Sequence, residues 1–437
     1  MNSPLPHITA PRTPQTLQET GLSQILMCDI LLKTMFRMGI EHVTSLAKTI
    51  CLPQTLTQEL VEILRGQKLL EATGTLHATS SREMGYKLSD AGKARAFDAL
   101  AQSEYFGPMP VPLAQYRDQV RRQSIRNNRL TRDNLEAAMQ HLIVPNTLLD
   151  QLGPAVGSGR SILLYGPPGN GKSSIANALR DAMGEQIYVP HALEYSGQTI
   201  SFFDPLVHTR MFETHSNENA LRLGDHARID SRYTLCRRPA VVTGGELMLS
   251  MLDLAYNPVS RTYQAPLQLK ASGGIFIVDD LGRQSEPPQD LINRWIVPME
   301  MGYDILSLQS GEKFMVPFDT LVVFSTNFHP NKLFDGAALR RIFFKILING
   351  PDQELFLKIF AMTARRRKMP LDEAAMLYLL KEKYPSINNL YANYHPVFLI
   401  DQIIAICDYE GIPYQMSPNL IDRAWENLFV QDTAIAH

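Results

Sequence analysis

Hydrophobic positions in the first hundred residues repeat with a helical period and then change to short extended runs. From Leu22 the apolar residues crowd one broad helical face, and two shorter helices follow before Gly66. Two extended stretches, Leu69 to Ala72 and Tyr86 to Leu88, precede a helix that opens at Ser89. Farther along the chain, buried-strand runs lead into helices, which is typical of an α/β fold.

The three helices and the β-ribbon resemble a winged helix-turn-helix domain, which we expect over residues 21–104. The Pro- and Thr-rich residues 1–20 before it are predicted to be a disordered tail. The functional interpretation of such a domain is DNA binding through the third helix. That helix carries Glu59 and Glu62 against Arg65 and Lys68, so it would meet DNA phosphates with little net attraction. Protein docking or a structural role is therefore favoured, and DNA binding stays open as an alternative.

Residues 105–135 are predicted to connect this domain to the rest of the chain. Gly107 to Pro112 has the composition of a stiff linker, and a strongly basic helical stretch follows it. The basic stretch could contact nucleic acid or an acidic neighbouring subunit, although a solvated helix face is the commoner explanation for such a run. Its arginines are Arg117, Arg121, Arg122, Arg126, Arg129 and Arg132.

The strongest chemical signal is a phosphate-binding loop between a strand and a helix. The apolar run from Ser161 to Tyr165 leads into the sequence GPPGNGKSS, after which a helix opens. Glycines in such a loop let backbone N–H groups turn towards phosphates at the helix N-terminus. Lys172 would place its charge on the β- and γ-phosphates of ATP, and the Ser173 hydroxyl would bind Mg²⁺. The predicted nucleotide-binding residues are Gly166, Pro167, Pro168, Gly169, Asn170, Gly171, Lys172, Ser173 and Ser174.

Polar side chains end two further buried strands. The apolar run after Gly273 ends in Asp279 and Asp280, and in a P-loop protein such a strand lies beside the first one. We predict that Asp279 holds Mg²⁺ together with Ser173, and that Asp280 orients and deprotonates the attacking water. The next strand ends in Asn327, which could reach the γ-phosphate or that water.

Two adjacent arginines, Arg340 and Arg341, follow at the end of a short helix that starts near Asp335. Arginine suits a position where charge spreads over a transferring phosphoryl group, because its planar fork of donors matches phosphate oxygens. A surface pair in an ordinary loop is the plain alternative.

These four elements, in this order and spacing, resemble the AAA+ ATPases. GPPGNGKS resembles the Walker A motif and IFIVDD the Walker B motif. Asn327 stands at the sensor-1 position, and Arg340 and Arg341 match the tandem arginine fingers of the spastin and katanin type. The resemblance implies a P-loop α/β core with a parallel sheet between helices, residues 136–350, and a C-terminal helical lid, residues 351–437. It also implies a homo-oligomeric ring, usually hexameric, with ATP bound between subunits.

Two features resemble narrower groups. Tyr303 to Val316 is predicted to form a β-hairpin just before the sensor-1 strand, where MoxR-like, magnesium-chelatase-like and enhancer-binding ATPases carry a pre-sensor hairpin. The stretches GGELML, LINRWIVPME, PFDTLVVFSTN and ALRRIFFKI also resemble a group of bacterial proteins described as predicted chaperone-type ATPases associated with Flp pilus assembly. This second resemblance implies a protein partner, in pilus or secretion assembly.

The sequence departs from the AAA+ pattern at two positions. Asp280 stands where glutamate is usual, so its carboxylate lies about one methylene farther back, and slow basal turnover is expected. A pair of aspartates also occurs in helicase-loader and transposition-helper ATPases. His395 and Pro396 look like the start of a sensor-2 helix, but Val397 occupies the position where arginine is expected. Nucleotide sensing would then depend on the two adjacent arginines.

A long insertion separates the second predicted core strand, Gln186 to Pro190, from the Walker B strand. Its aromatic residues could form loops that grip a substrate in a central pore, or they could pack within an additional β-element. These residues are Phe202, Phe203, Tyr256 and Tyr263.

Composition adds limits on partners and location. The 437 residues carry 42 Lys and Arg against 44 Asp and Glu, and this formal net charge of -2 gives no global attraction to nucleic acid or anionic membranes. Four scattered cysteines argue against a zinc site or a disulfide framework and favour a reducing compartment. Signal-peptide and membrane-spanning patterns are absent from the sequence, so we expect a cytoplasmic protein without membrane insertion.

The sequence as a whole predicts ATP hydrolysis coupled to remodelling or assembly of a protein partner, whose identity it does not reveal. A DNA-directed AAA+ ATPase, a loader or regulator that uses the winged helix, is one alternative. An ATP-binding switch or scaffold with little turnover is the other.

Overall fold

A computed structural model describes the chain over residues 9–75, 84–127, 130–184, 186–211 and 229–429. The α-helices in these ranges are α1 Gln24–Met38, α2 Val43–Ile50, α3 Gln54–Gly66, α4 Asp90–Gln102, α5 Leu113–Arg122, α6 Arg132–Met139, α7 Asn146–Gly157, α8 Lys172–Ala182, α9 Leu267–Lys270, α10 Pro288–Met301, α11 Pro330–Leu333, α12 Gly336–Arg341, α13 Gln353–Arg367, α14 Glu373–Tyr378, α15 His395–Glu410 and α16 Pro418–Glu426. The strands are β1 Leu70–Thr75, β2 Met84–Leu88, β3 Val111–Pro112, β4 Ile162–Tyr165, β5 Gln186–Pro190, β6 Ala192–Tyr195, β7 Gln198–Ser201, β8 Tyr233–Arg237, β9 Ala240–Thr243, β10 Ala255–Asn257, β11 Thr262–Gln264, β12 Ile275–Val278, β13 Tyr303–Ser307, β14 Lys313–Pro317, β15 Leu321–Thr326 and β16 Phe344–Leu347.

The N-terminal unit contains helices α1 to α4 and the antiparallel pair β1 and β2. Helix α1 begins where the Ser23 hydroxyl accepts a hydrogen bond from the Leu26 N–H, and it ends at Gly39, whose φ of 64° suits glycine. Inward-facing side chains such as Ile30 and Leu60 are fully buried. The predicted order of helices and strands is confirmed, whereas the assignment as a winged-helix domain stays a prediction.

Residues 9–20 pack against the rest of the molecule, so the predicted disordered tail is wrong for this segment. The Asp230 N–H donates to the Pro11 carbonyl at 2.9 Å, and the buried Arg232 guanidinium donates to the Thr20 carbonyl at 3.0 Å. The carbonyls of this segment therefore satisfy buried donors elsewhere in the chain, which composition does not reveal. The first eight residues of the predicted tail lie outside the described residues.

The predicted linker is built into a β-sheet. Val111–Pro112 forms β3, which pairs in parallel with β6 in a five-stranded sheet of order β10-β11-β7-β6-β3. The buried Met109 donates its N–H to the Ile50 carbonyl of α2 at 2.7 Å, which ties this sheet to the N-terminal unit. The predicted basic helix is present only in part, as α5, which carries Arg117, Arg121 and Arg122, whereas Arg126 follows its end. Arg129 lies outside the described residues, and Arg132 is the first residue of α6.

A five-stranded parallel sheet forms the core, with strand order β16-β4-β15-β12-β9. Successive side chains of β4 point to opposite faces. Ile162 and Leu164 pack in a cluster with side chains of α8, and Leu163 packs in a second cluster with Trp295 of α10. Strand β12 is buried along its whole length, as expected for a parallel sheet covered on both faces. The predicted α/β class with a parallel sheet between helices is confirmed.

The second core strand was predicted at Gln186 to Pro190, and this prediction is wrong. That segment forms β5, which pairs antiparallel with β8, and the place beside β12 is taken by β9. Ile187 and Val189 are buried in a cluster with residues of α5 and of the five-stranded mixed sheet. Strands β5 and β9 are both short apolar runs, so the sequence pattern does not tell which of them pairs with β12. Contacts between residues far apart in the chain decide it.

The aromatic residues of the insertion pack inside a β-rich region, which consists of the five-stranded mixed sheet, the pair β5 and β8, and helix α5. The buried Phe202 ring lies 5.4 Å from the Tyr116 ring, and the buried Tyr263 hydroxyl accepts a hydrogen bond from a backbone N–H at 3.0 Å. Phe203 and Tyr256 are half-buried against the same cluster. Packing is therefore the correct interpretation, and the pore-loop interpretation is wrong for Phe202 and Tyr263.

Helices α13 to α16 form the C-terminal region, here called the lid, around the buried Phe356, Phe360 and Leu399. Helix α15 begins at His395, and β13 pairs antiparallel with β14, so a helix starts where it was predicted and the predicted hairpin is confirmed, whereas the sensor-2 role of that helix stays a prediction. No helix in the described ranges is long and apolar enough to cross a membrane.

The domain boundaries stay predictions, with one structural detail that bears on them. Helix α6 packs Leu135 and Met139 into the cluster on one face of the parallel sheet. The core predicted to start at residue 136 therefore includes the whole of α6.

Candidate nucleotide-binding site

The predicted P-loop connects the end of β4 to the start of α8. Gly166 has a φ of 139°, and a Cβ there would lie 2.3 Å from the Ile348 carbonyl oxygen, so the position requires glycine. Gly171 precedes α8 with a φ of 84°. In the described part of the chain, no protein group accepts a hydrogen bond from the backbone N–H groups of Gly169 and of Gly171 to Ser174. A row of free donors at a helix N-terminus is the arrangement that binds phosphate.

The Lys172 side chain folds back over the loop and is buried. Its Nζ donates to the carbonyl oxygens of Gly166 at 3.0 Å and Pro167 at 2.8 Å. Burial lowers the pKa of Lys172, and the Asp280 and Asp279 carboxylates oppose that effect. The charges of both carboxylates therefore act on the Lys172 side chain and favour its ammonium form. A bound phosphate would favour that form further.

The two carboxylates at the end of β12 have different surroundings. Asp279 accepts hydrogen bonds from the Ser325 hydroxyl and from the Asp280 N–H at 3.1 Å, and its own N–H donates to the Thr243 carbonyl of β9 at 2.7 Å. Asp280 is exposed, and its Oδ1 accepts a hydrogen bond from the Asn327 amide at 3.0 Å. The structure thus brings these predicted site residues together at the sheet edge that carries the P-loop.

Two of the predicted residues fit a magnesium ion. Among the described residues, no group of three or more His, Cys, Asp or Glu side chains could hold a metal by itself. Mg²⁺ in a nucleotide site needs only one or two protein ligands, because phosphate oxygens and water fill the remaining positions. The exposed Ser173 in the first turn of α8 and the carboxylate of Asp279 offer the oxygen ligands that this ion takes.

Arg340 and Arg341 end helix α12, at the opposite end of β4 from the P-loop. The Arg341 carbonyl accepts a hydrogen bond from the hydroxyl of Ser161, which precedes β4, at 3.3 Å. The P-loop follows the other end of this strand, roughly 13 Å away at about 3.3 Å per residue. The Arg341 guanidinium pairs with Glu300 at 3.0 Å, and Arg340 is exposed. The structure does not bring these arginines to the P-loop of their own chain.

A cavity of about 830 Å³ lies between the P-loop, the segment before α7 and the lid. Its volume is in the range of pockets that hold small-molecule ligands and cofactors. Apolar side chains of Ile143 and Val144 line it from the core, and Leu355 and Ile359 line it from the lid. Val397 also lines the cavity and is 40% exposed, so the predicted sensor-2 position faces the site without carrying a charge.

Sequence reasoning missed several residues that shape this site. Ser325 had a usable signal, because it lies at the end of an apolar run, two positions before Asn327, where alternation along a strand predicts the same side. Asn393 and Tyr394 of the lid had no such signal. They contact the P-loop residues Gly169 and Asn170, and 223 positions separate Asn393 from Asn170.

A family model described as a domain of unknown function, DUF8689, matches residues 352–427, within the lid. Comparison with curated proteins finds no match. Among solved structures, NtrX from Brucella abortus in complex with ADP is 12% identical with a TM-score of 0.39, over 65% of this chain and 55% of that chain. The chain thus spans just over half the length of NtrX.

Two other solved structures show comparable similarity. The RuvB Holliday junction branch migration motor of Thermotoga maritima is 13% identical with a TM-score of 0.38, over 68% of this chain and 73% of that chain. The complex of the BchI and BchD subunits of magnesium chelatase is 18% identical with a TM-score of 0.33, over 64% and 89%. The fold itself follows from the structure of this chain, which shows a parallel sheet between helices, a loop after β4 that leads into α8, and a helical C-terminal region.

Proposed function

We propose that the protein is an AAA+ ATPase that hydrolyses Mg²⁺-ATP at this site. The observation that carries the proposal is that free P-loop N–H groups, the Lys172 ammonium and the Asp280–Asn327 pair meet at one edge of the sheet. Phosphate oxygens would accept hydrogen bonds from the N–H groups and from Lys172, while Ser173 and Asp279 would hold Mg²⁺. The cavity beside the loop would take the rest of the nucleotide.

In the proposed reaction a water molecule attacks the γ-phosphorus of ATP. A new O–P bond forms, and the bond from the γ-phosphorus to the β–γ bridging oxygen breaks, which yields ADP and inorganic phosphate. Asp280 accepts a proton from the attacking water, and the Asn327 amide holds that carboxylate in position. Lys172 stabilises the negative charge that the phosphate oxygens carry as the reaction proceeds.

We propose that a neighbouring copy of the chain completes the site. Arg340 and Arg341 lie at the wrong end of β4 to serve their own P-loop. In a head-to-tail ring, however, the same surface of each subunit faces the nucleotide of the next. Arg340 is exposed, and Arg341 would exchange its surface partner Glu300 for phosphate oxygens. The AAA+ resemblance makes a hexamer the expected ring.

The test is ATP turnover per protomer as a function of protein concentration, with particle mass measured at each concentration. A rate that rises steeply and saturates as oligomers form is the expected result. A rate per protomer that stays constant while the mass changes would contradict completion in trans. Lys172→Ala is the binding control, because it should abolish tight ATP binding, and an unchanged nucleotide affinity would contradict the P-loop assignment.

We also propose that turnover drives the remodelling or assembly of a protein partner, with pilus or secretion assembly as the first pathway to test. The charges on α3 support a protein partner over DNA, since Glu62 pairs with Arg65 at 2.8 Å and leaves little basic surface on that helix. A DNA-directed role is the alternative. Steeply salt-dependent binding to plain duplex DNA would favour it, and absence of binding at low salt would exclude it.

A nucleotide switch with little turnover is the second candidate function. The observation that favours it is the short side chain of Asp280, which is one methylene shorter than the glutamate expected from the resemblance. Its carboxylate would lie farther from the attacking water and would activate that water less well. Bound ATP that stays intact after long incubation would favour the switch, whereas accumulation of ADP and phosphate would favour the ATPase.

A further inference from the structure

The loop before α15 contacts the P-loop directly. The Tyr394 N–H donates to the Gly169 carbonyl at 3.0 Å. Asn393 makes two further hydrogen bonds, since its Nδ2 donates to the Asn170 carbonyl at 3.0 Å and its N–H donates to the Asn170 Oδ1 at 3.2 Å. Three hydrogen bonds therefore connect two lid residues to two residues of the phosphate-binding loop.

This contact between lid and P-loop is closely packed. A Cβ at Gly169 would lie 2.2 Å from the Tyr394 ring, so the ring is seated where only glycine leaves room. The Asn170 side chain is buried between the two segments, with 2% of the residue exposed. The Oδ1 of Asn393 is buried and has no partner among the described residues. What holds the Asn393 amide is therefore its donation to the P-loop.

The lid residues bind the carbonyls of the same peptide groups whose N–H groups would face a phosphate. The Gly169 carbonyl and the Asn170 N–H belong to one planar peptide group, and the Asn170 carbonyl and the Gly171 N–H belong to the next. In a trans peptide the carbonyl and the N–H point in opposite directions. Turning either N–H towards a phosphate therefore turns a carbonyl that the lid holds.

We propose that Asn393 is a positioning residue through which the lid responds to phosphate in the P-loop. It would take the part that the AAA+ resemblance gives to an arginine at the position of Val397. The inference rests on the proposed function, because it requires the P-loop to bind a nucleotide. Bound phosphates fix the two peptide planes and so strengthen the hydrogen bonds to the lid. An empty loop leaves the planes free to turn, and α15 is then less protected from hydrogen exchange.

The test is hydrogen–deuterium exchange of α15 in the full chain, measured without nucleotide and with saturating Mg²⁺-ADP. In the unchanged protein ADP should slow exchange in α15. In Asn393→Ala the Kd for ADP should rise by no more than about fivefold, the effect of one hydrogen bond, and the slowing should shrink by a similar factor. Asn393→Leu fills the volume without the donor and should behave in the same way.

Asn427→Ala is the matched control, because the side-chain hydrogen bonds of this lid asparagine within the described residues, both at 3.4 Å, go to Gln402 and to the Arg423 carbonyl of the lid and not to the P-loop. It should respond to ADP like the unchanged protein. Full slowing of α15 exchange in both Asn393 variants would overturn the inference. The inference would also be overturned if the Asn393 variants melted at a lower temperature without nucleotide but kept the full response to ADP, because Asn393 would then have only a structural role. If the unchanged protein binds ADP but α15 does not respond, only this inference fails. If it binds no nucleotide, the proposed function fails as well.

Discussion

At the scale of the residue, Asp280 joins an unusual backbone conformation to a proposed chemical role. Its φ of 48° lies in the left-handed region, where Asp and Asn are tolerated better than longer side chains. The turn continues into Leu281, whose N–H donates to the Ser325 carbonyl at 2.7 Å. An aspartate at this position thus suits the local backbone, although its short side chain reaches less far towards the proposed attacking water than a glutamate would.

We expect Asp280→Asn to keep ATP binding and to lower turnover by about 100-fold or more, the usual effect of removing a general base. Asparagine accepts the same positive φ, so the melting temperature should not change. The measurements are steady-state hydrolysis and equilibrium nucleotide binding, with the exposed Asp98→Asn in α4 as control. Undiminished hydrolysis would mean that another group activates the water.

At the scale of the element, strands that carry a motif were predictable and the pairing of the others was not. Strands β4, β12 and β15 are apolar runs that end in the P-loop or in polar residues, so their place in a parallel sheet followed from the pattern. Strands β5 and β9 are similar short apolar runs, and the wrong one was assigned to the core sheet. The contact between Asn393 and Asn170 spans 223 positions, and no local pattern encodes it.

Helix α15 carries Val397, at the position where the AAA+ resemblance predicts a sensor-2 arginine, and the effect of restoring an arginine there can be tested directly. Val397 lines the cavity beside the P-loop, so the long side chain of Val397→Arg would extend from the cavity wall towards phosphates held by the loop. We expect ATP affinity to rise by about tenfold, as for one charge-assisted hydrogen bond, and to rise less for ADP. Leu390→Arg, an exposed lid position that does not line the cavity, should leave both affinities unchanged. Unchanged ATP affinity in Val397→Arg would mean that the phosphates lie elsewhere.

His208 makes the β-rich region sensitive to pH. Its Nδ1 accepts a hydrogen bond from the Asp204 N–H at 2.9 Å, and its Nε2 lies 2.9 Å from the Lys270 carbonyl. Burial lowers the pKa of His208 from 6.5 to about 4, so between these values the unfolded chain binds a proton that the folded protein does not. The free energy of unfolding should therefore fall as the pH decreases through this window, by up to about 1.4 kcal/mol per pH unit.

The measurement is the melting temperature at pH 7.5 and pH 5 for the unchanged protein and for His208→Gln. Glutamine can accept from Asp204 and donate to Lys270 without titrating, so the variant should lose less stability at pH 5 than the unchanged protein does. Part of the decrease should persist, because burial also lowers the pKa of His191 and of His395 to about 4. An equal decrease in both proteins would contradict the role given to His208.

At the scale of the whole molecule, buried polar contacts join the segments on either side of the N-terminal unit to the β-rich region. Arg232 and Asp230 form an ion pair whose side chains are 2% and 4% exposed. The same guanidinium donates to the carbonyls of Thr20 and Pro110, from the segment predicted to be a tail and the segment predicted to be a linker. Removing either charge would leave the other buried and unpaired, which is strongly destabilising. The two flanking segments are therefore anchored to the β-rich region, and every subunit of an assembled ring would share this anchoring.

Such a ring can be tested by mixing two inactive variants. Lys172→Ala lacks a working P-loop and keeps its arginines, whereas the double variant Arg340→Ala, Arg341→Ala keeps its P-loop and lacks the arginines. When equal amounts exchange subunits at random, about a quarter of the head-to-tail interfaces combine an intact P-loop with intact arginines. Turnover should therefore recover to about a quarter of the rate of the unchanged protein, although each variant alone stays inactive. If the arginines instead served the nucleotide of their own subunit, mixing would restore no turnover. Their distance from the P-loop along β4 argues against that arrangement.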